Sequence, residues 1–110
     1  MPPSPSSPSV IDYGSTWVTL GWFELICDGE HPISELVIRY RKFENSLSTL
    51  NSYRYIYGLD PSLRNYTVND LEPDNIYSFS IQAVSIEFLP SDFSAPRTTN
   101  TLTEGMYVSK

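Results

Sequence analysis

Leu71-Glu72-Pro73-Asp74-Asn75-Ile76-Tyr77-Ser78-Phe79-Ser80-Ile81-Gln82-Ala83 is a turn that runs directly into strict alternation. From Tyr77 onward, Phe79, Ile81 and Ala83 fall at every second position, which puts them on one face of a strand and Ser78, Ser80 and Gln82 on the other. One apolar and one polar face predict a half-buried strand of an antiparallel sheet. Pro73 presets φ for the turn, and Asp74 and Asn75 are suited to bond local backbone. Tyr77 enters with a ring to bury and a hydroxyl to satisfy, so its phenol is expected to cap the loop it has just left, as in a tyrosine corner.

Working outward, the same period recurs. Met1 to Pro8 is Pro and Ser and reads as a linker; Val10, Ile11 and Tyr13 before Gly14 predict a short first strand. Trp17 to Trp22 alternates, with Val18, Leu20 and Trp22 on one face and Trp17, Thr19 and Gly21 on the other. Trp22 is the expected centre of the core. Ile33 to Arg41 places Leu36, Ile38 and Tyr40 inward and Arg39 and Arg41 outward. Phe43 to Ser52 is open between a loop and one helical turn seated by Leu47 and Leu50. Tyr53, Tyr55 and Tyr57 alternate with Arg54 and Ile56 as an edge strand, and Gly58 to Arg64 reads as a turn. Tyr66 and Val68 lead to Leu71, and Ser94 to Leu102 closes the sheet as an edge strand that tolerates Pro96.

The corner Leu-x-Pro-x-x-x-Tyr, its continuation Tyr77-Ser78-Phe79-Ser80-Ile81-Gln82-Ala83, and Val18-Thr19-Leu20-Gly21-Trp22 together resemble the fibronectin type III family over about residues 9 to 102. Pro32-Ile33 through Tyr40 is similar to the family's strand C, with Leu36 in place of the usual first Tyr. The resemblance implies an all-β, immunoglobulin-like sandwich of seven antiparallel strands, with sheet A-B-E packed on sheet C-C′-F-G. Residues 1–8 and 103–110 are then linkers flanking the domain at 9–102. The expected core is Val18, Leu20, Trp22, Leu36, Ile38, Tyr40, Leu71, Tyr77, Phe79 and Ile81.

Composition narrows the function classes. A chain of 110 residues is one domain, large enough to fold without disulfides or metal. Its net charge of −6, with seven scattered Lys and Arg, argues against nucleic acid and anionic membrane as partners. No apolar run is long enough to span a bilayer, so membrane insertion is not expected. The single cysteine forms no internal disulfide and leaves the compartment open, since type III domains usually lack an inter-sheet disulfide.

Candidate chemistry is sparse. Cys27 and His31, the sole thiol and imidazole, share a turn with Asp28 and Glu30, but a structural zinc site wants four ligands and a plain polar turn explains them as well. No catalytic residue, metal or cofactor is expected. Asn65-Tyr66-Thr67 is an N-glycosylation sequon, so Asn65 carries sugar if the chain is secreted. The Arg-Gly-Asp tripeptide is absent, and Leu89-Pro90-Ser91-Asp92-Phe93-Ser94 does not match Trp-Ser-x-Trp-Ser. In the fold that the chain resembles, Phe88 and Leu89 lie at one pole with Ile26, Asp28, Glu30 and Glu87; this is either a contact site for a protein partner or neighbouring domain, or a cap folded over the core. The face bearing Arg39, Arg41, Arg54 and tyrosines is a second candidate, against a plain solvated face. The resemblance implies a non-catalytic, monomeric binding and spacer module, extracellular or on the cell surface, of a receptor or adhesion molecule. A cytoplasmic scaffold or muscle-type module, or the accessory domain of an enzyme, remain alternatives.

Overall fold

The computed structural model describes residues 5–22, 33–43, 53–85 and 90–103. Seven strands are formed: β1 (Ser9–Tyr13), β2 (Val18–Gly21), β3 (Ile33–Phe43), β4 (Arg54–Leu59), β5 (Asn65–Val68), β6 (Ile76–Ser85) and β7 (Arg97–Asn100). They make two antiparallel sheets, ordered β1-β2-β5 and β4-β3-β6-β7. This is the expected sandwich, with A, B and E facing C′, C, F and G.

The inner faces follow the alternation. Val18 and Leu20 from one sheet meet Ile38, Phe79 and Ile81 from the other, all without solvent exposure, and Val68, Leu71 and Tyr77 join the same cluster. Leu36 is also fully buried, and Tyr40 is half-buried, packed on the cluster and stacked on Phe79 at 5.8 Å. Trp22 corrects the expectation. It lies one residue beyond β2, half-buried at the margin, where its indole Nε1 donates to the Leu63 carbonyl at 2.8 Å. Phe79, in the strand paired on both sides, holds the centre instead.

The tyrosine corner forms as the sequence predicts. Tyr77 is buried, and its hydroxyl accepts the Glu72 amide at 2.8 Å. Asn75 Nδ2 donates to the Pro73 carbonyl at 2.7 Å, and Asp74 takes a positive φ of 53°. Buried Thr101 adds a tie that the sequence does not announce: its hydroxyl donates to the Glu72 carbonyl at 2.7 Å and accepts the Asn75 amide at 3.1 Å.

Gly58 is a bulge, where the sequence suggests a turn. Leu36 pairs with Leu59 and Ile38 with Ile56, so two steps along β3 match three along β4. Gly58 takes φ +72° at this point, and its amide, turned out of the ladder, donates to the Glu35 carboxylate at 2.7 Å. The extra residue re-phases the strand. Tyr55 and Tyr57 face outward, yet Leu59, of the same parity, packs on the core. The turn proper follows, where the Ser62 amide and hydroxyl bond Asp60 and hold its carboxyl below the ordinary value.

Pro5 and Pro8, in the segment that reads as a linker, are buried, and the Pro8 carbonyl accepts Arg97 Nε at 2.9 Å. β7 is shorter than expected, because residues 91–96 follow β6 irregularly.

Two substitutions test these assignments by equilibrium urea denaturation. Tyr77→Phe removes the acceptor for a part-buried amide and is expected to cost about 1–2 kcal/mol; unchanged stability would show that the hydroxyl is not needed. Nothing lies within 4 Å of a Cβ built on Gly58, so Gly58→Ala is expected to cost roughly 1–2 kcal/mol from backbone conformation alone. Gly58→Asn should cost less, and equal losses for the two would argue against the left-handed bulge.

Candidate functional site

Ile26, Asp28, Glu30, Glu87, Phe88 and Leu89, together with Cys27 and His31, lie outside the described residues. Among the described residues no group of His, Cys, Asp and Glu is arranged to hold a metal ion, and no helix is long and apolar enough to cross a membrane.

The described candidate is the outer face of the β4-β3-β6-β7 sheet. Pleat parity turns Arg39 and Arg41 of β3 and Tyr55 and Tyr57 of β4 to this face, with Tyr53 just ahead of β4, and Arg39 sits directly opposite Tyr55 in the register. The Arg39 guanidinium carbon lies 4.3 Å from the Tyr53 ring centroid and 4.0 Å from that of Phe93, within cation–π reach of both rings. The Arg41 guanidinium carbon lies 4.8 Å from the Tyr53 ring. Tyr55 packs edgewise on Tyr53 at 6.4 Å and on Phe93 at 6.2 Å, and it stacks on Tyr57 at 5.7 Å with the two rings 10° from parallel. Each cation–ring contact is worth on the order of 0.5–2 kcal/mol, the upper end where water is excluded. Arg54 is not part of the group. It stands opposite Tyr40 at the end of the inner face, where it lowers the pKa of a phenol that burial, the larger effect, raises.

Phe93 is the member that sequence reasoning missed, and the backbone around it explains its place. Residues 91–96 flank β6 on the edge away from β3. Ser91 donates its amide to the Ala83 carbonyl at 2.8 Å, and its hydroxyl accepts the Ala83 amide at 3.0 Å. Ser94 does the same with Ile81, at 2.7 Å and 3.0 Å. Two side-chain oxygens therefore stand where strand carbonyls would. Alignment runs Ser91 with Ala83, Ser94 with Ile81 and Arg97 with Phe79, three residues of this segment for every two of β6. The slack lets the Phe93 ring cross the outer face of β6 to reach Arg39. Ser78 and Ser80, expected in solvent, are buried on this face at 6% and 4% exposure. The signal in the sequence was the Ser-x-x-Ser spacing itself, kept in Pro90-Ser91-Asp92-Phe93-Ser94 although the tryptophans of Trp-Ser-x-Trp-Ser are not.

The Arg39 Nε is buried and has no hydrogen-bond partner among the described residues. The outermost rings are open: Tyr55 is 43% and Tyr57 68% exposed. The face thus presents aromatic surface with a fixed cation behind it, chemistry suited to non-covalent docking.

Asn65 is exposed as the first residue of β5, the outer strand of the β1-β2-β5 sheet. The sequon's Thr67 shares a 2.7 Å hydrogen bond with Thr19 across the β2–β5 pair. Trp17, outward on the same sheet, is half-buried against Gly14, whose added Cβ would fall 2.6 Å from the indole Cε2.

Comparison with known proteins agrees with this architecture. The third fibronectin III domain of the human KIAA0343 protein is similar with a TM-score of 0.78 and 19% identity, over 100% of this chain and 90% of that one. A myokine structure gives 0.74 and 22%, over 93% and 99%. The FN1-FN3 domains of chicken CNTN1 give 0.70 and 14%, over 94% of this chain and 32% of that one. At such identities the likeness is one of fold. The sequence itself matches the model of the fibronectin type III domain over residues 3–100, and with the tyrosine corner and the three-plus-four sandwich in place, the chain belongs to the fibronectin type III family.

Proposed function

We propose that this domain is a non-catalytic protein-binding and spacer module of a larger multidomain protein, the ectodomain of a receptor or cell-adhesion molecule. Fibronectin type III domains are typically modules of multidomain proteins, adhesion molecules among them, and are generally non-catalytic. The observation that carries the binding role is the open Tyr55-Tyr57 surface. Tyrosine offers large contact area with few torsions to freeze, and here the rings are already braced by Phe93 and the Arg39 sandwich. The exposed sequon at Asn65 supports the extracellular assignment, since it stands on the outward face of an outer strand with room for a sugar.

Expression through a eukaryotic secretory pathway tests the compartment. The secreted domain should lose mass on enzymatic deglycosylation, and Asn65→Gln should abolish that loss. A folded, secreted and unmodified product would count against an ectodomain and turn the reading toward an intracellular scaffold.

A further inference from the structure

We propose that the outer face of β4, with the edge that no described strand pairs, receives an extended, acidic segment of a partner protein, with a carboxylate on Arg39 and an apolar or proline side chain on Tyr57. The proposal rests on the reading of the domain as a protein-binding module and names the chemistry of the partner.

Three features converge on this partner. Among the described residues β4 is paired on one side, with β3, so the backbone groups along its other edge are placed to add a strand. The Arg39 guanidinium carbon lies 4.3 Å from the Tyr53 ring centroid and 4.0 Å from that of Phe93, and its Nε has no hydrogen-bond partner among the described residues. A guanidinium donates in its own plane, so ring capping covers the faces and leaves the edge for a carboxylate, which it meets bidentately. The residue is half-buried, with its buried Nε turned away from solvent. Side chains of an extended segment recur on one side every two residues, about 7 Å apart. Arg39 stands opposite Tyr55, two residues from Tyr57, so along the strand direction the two are one such step apart, an acid for Arg39 and a flat apolar group for Tyr57.

Charge selects the same partner. The chain carries −6 overall, yet the outward positions of β3 from Val37 to Arg41 and of β4 hold Arg39, Arg41 and tyrosines without a carboxylate. Glu35, the nearest acid on β3, is held on the Gly58 amide, at the bulge end of β4 away from the Arg39–Tyr55 pair. An acidic segment is therefore repelled by most of the molecule and attracted to this face, and screening over about 8 Å at physiological salt keeps the two effects local.

The test is selection of a displayed library of random ten-residue peptides against the immobilised domain, with recovered peptides measured in solution. The expected consensus alternates Asp or Glu with aromatic residues or Pro. Binding should weaken about tenfold or more for Tyr57→Ser, whose side chain is 68% exposed so that the fold is retained, for Arg39→Gln, and for peptides with Gln in place of Glu. It should also weaken as NaCl is raised. Peptides lacking acidic residues, or binding that survives Tyr57→Ser, would overturn this inference while leaving the protein-binding reading in place. A library yielding no specific binder would count against both.

Discussion

The bond from the Glu72 amide to the Tyr77 hydroxyl holds the point where the chain crosses from one sheet to the other. Its neighbours on the backbone are committed with equal thrift. The Leu71 amide goes to the Thr16 carbonyl at 2.9 Å, the Glu72 carbonyl to the Thr101 hydroxyl, and the Asp74 amide to the Leu102 carbonyl at 3.0 Å. At a crossover these backbone groups have no ladder partner, and here each takes a protein partner, most of them from a different element. The corner thereby fixes the β1–β2 turn, the start of β6 and the exit of β7 relative to one another. The ion pair of Lys42 with Glu72 lies outside this set and, with Glu72 exposed, adds little.

β6 inherits its position from that corner and passes it to the outer face. It is buried on both sides, although its sequence alternates as if one side were wet. The second cover comes from the chain that follows it. A regular strand beside β6 would accept its amides through backbone carbonyls, in a one-to-one register. Ser91 and Ser94 accept them through hydroxyls, and the longer reach of the chain between them brings Phe93 to Arg39. The aromatic face is in this sense a consequence of how an irregular edge satisfies its hydrogen bonds.

The legibility of the sequence follows the same division. Where one periodic rule governs, as in Tyr77, Phe79 and Ile81, in Val18 with Leu20, and in Leu36 with Ile38, the inward-facing set could be read directly. The burial of Ser78 and Ser80 on the other face of β6 could not, nor could four further positions. Leu59 turns inward because a single left-handed glycine shifts the phase, and a Gly followed by Asp60-Pro61 looks the same whether it bulges or turns. Thr101 and Phe93 act across sequence separations that no local pattern encodes. Trp22 alternates correctly but stands at the strand's end, where its indole N–H is drawn to the Leu63 carbonyl and the ring stays at the margin. Asn65 was legible as a motif and is placed in the open by the order of the sheet.

Sandwiching an arginine between rings changes when its ordering cost is met. A free surface arginine loses side-chain entropy, up to about 2 kcal/mol, when it engages a ligand. Arg39 loses much of that freedom on folding, offset by its contacts with Tyr53 and Phe93. A lysine at this position would carry the charge on a flexible stem and could not offer a planar edge between two rings. For the proposed docking role, what remains at the moment of association is the desolvation of one guanidinium edge and of two tyrosine rings that already stack on each other. The ordering of Arg39 and the docking role proposed for it therefore share one origin, the pair of serine hydroxyls that accept β6 amides on either side of Phe93.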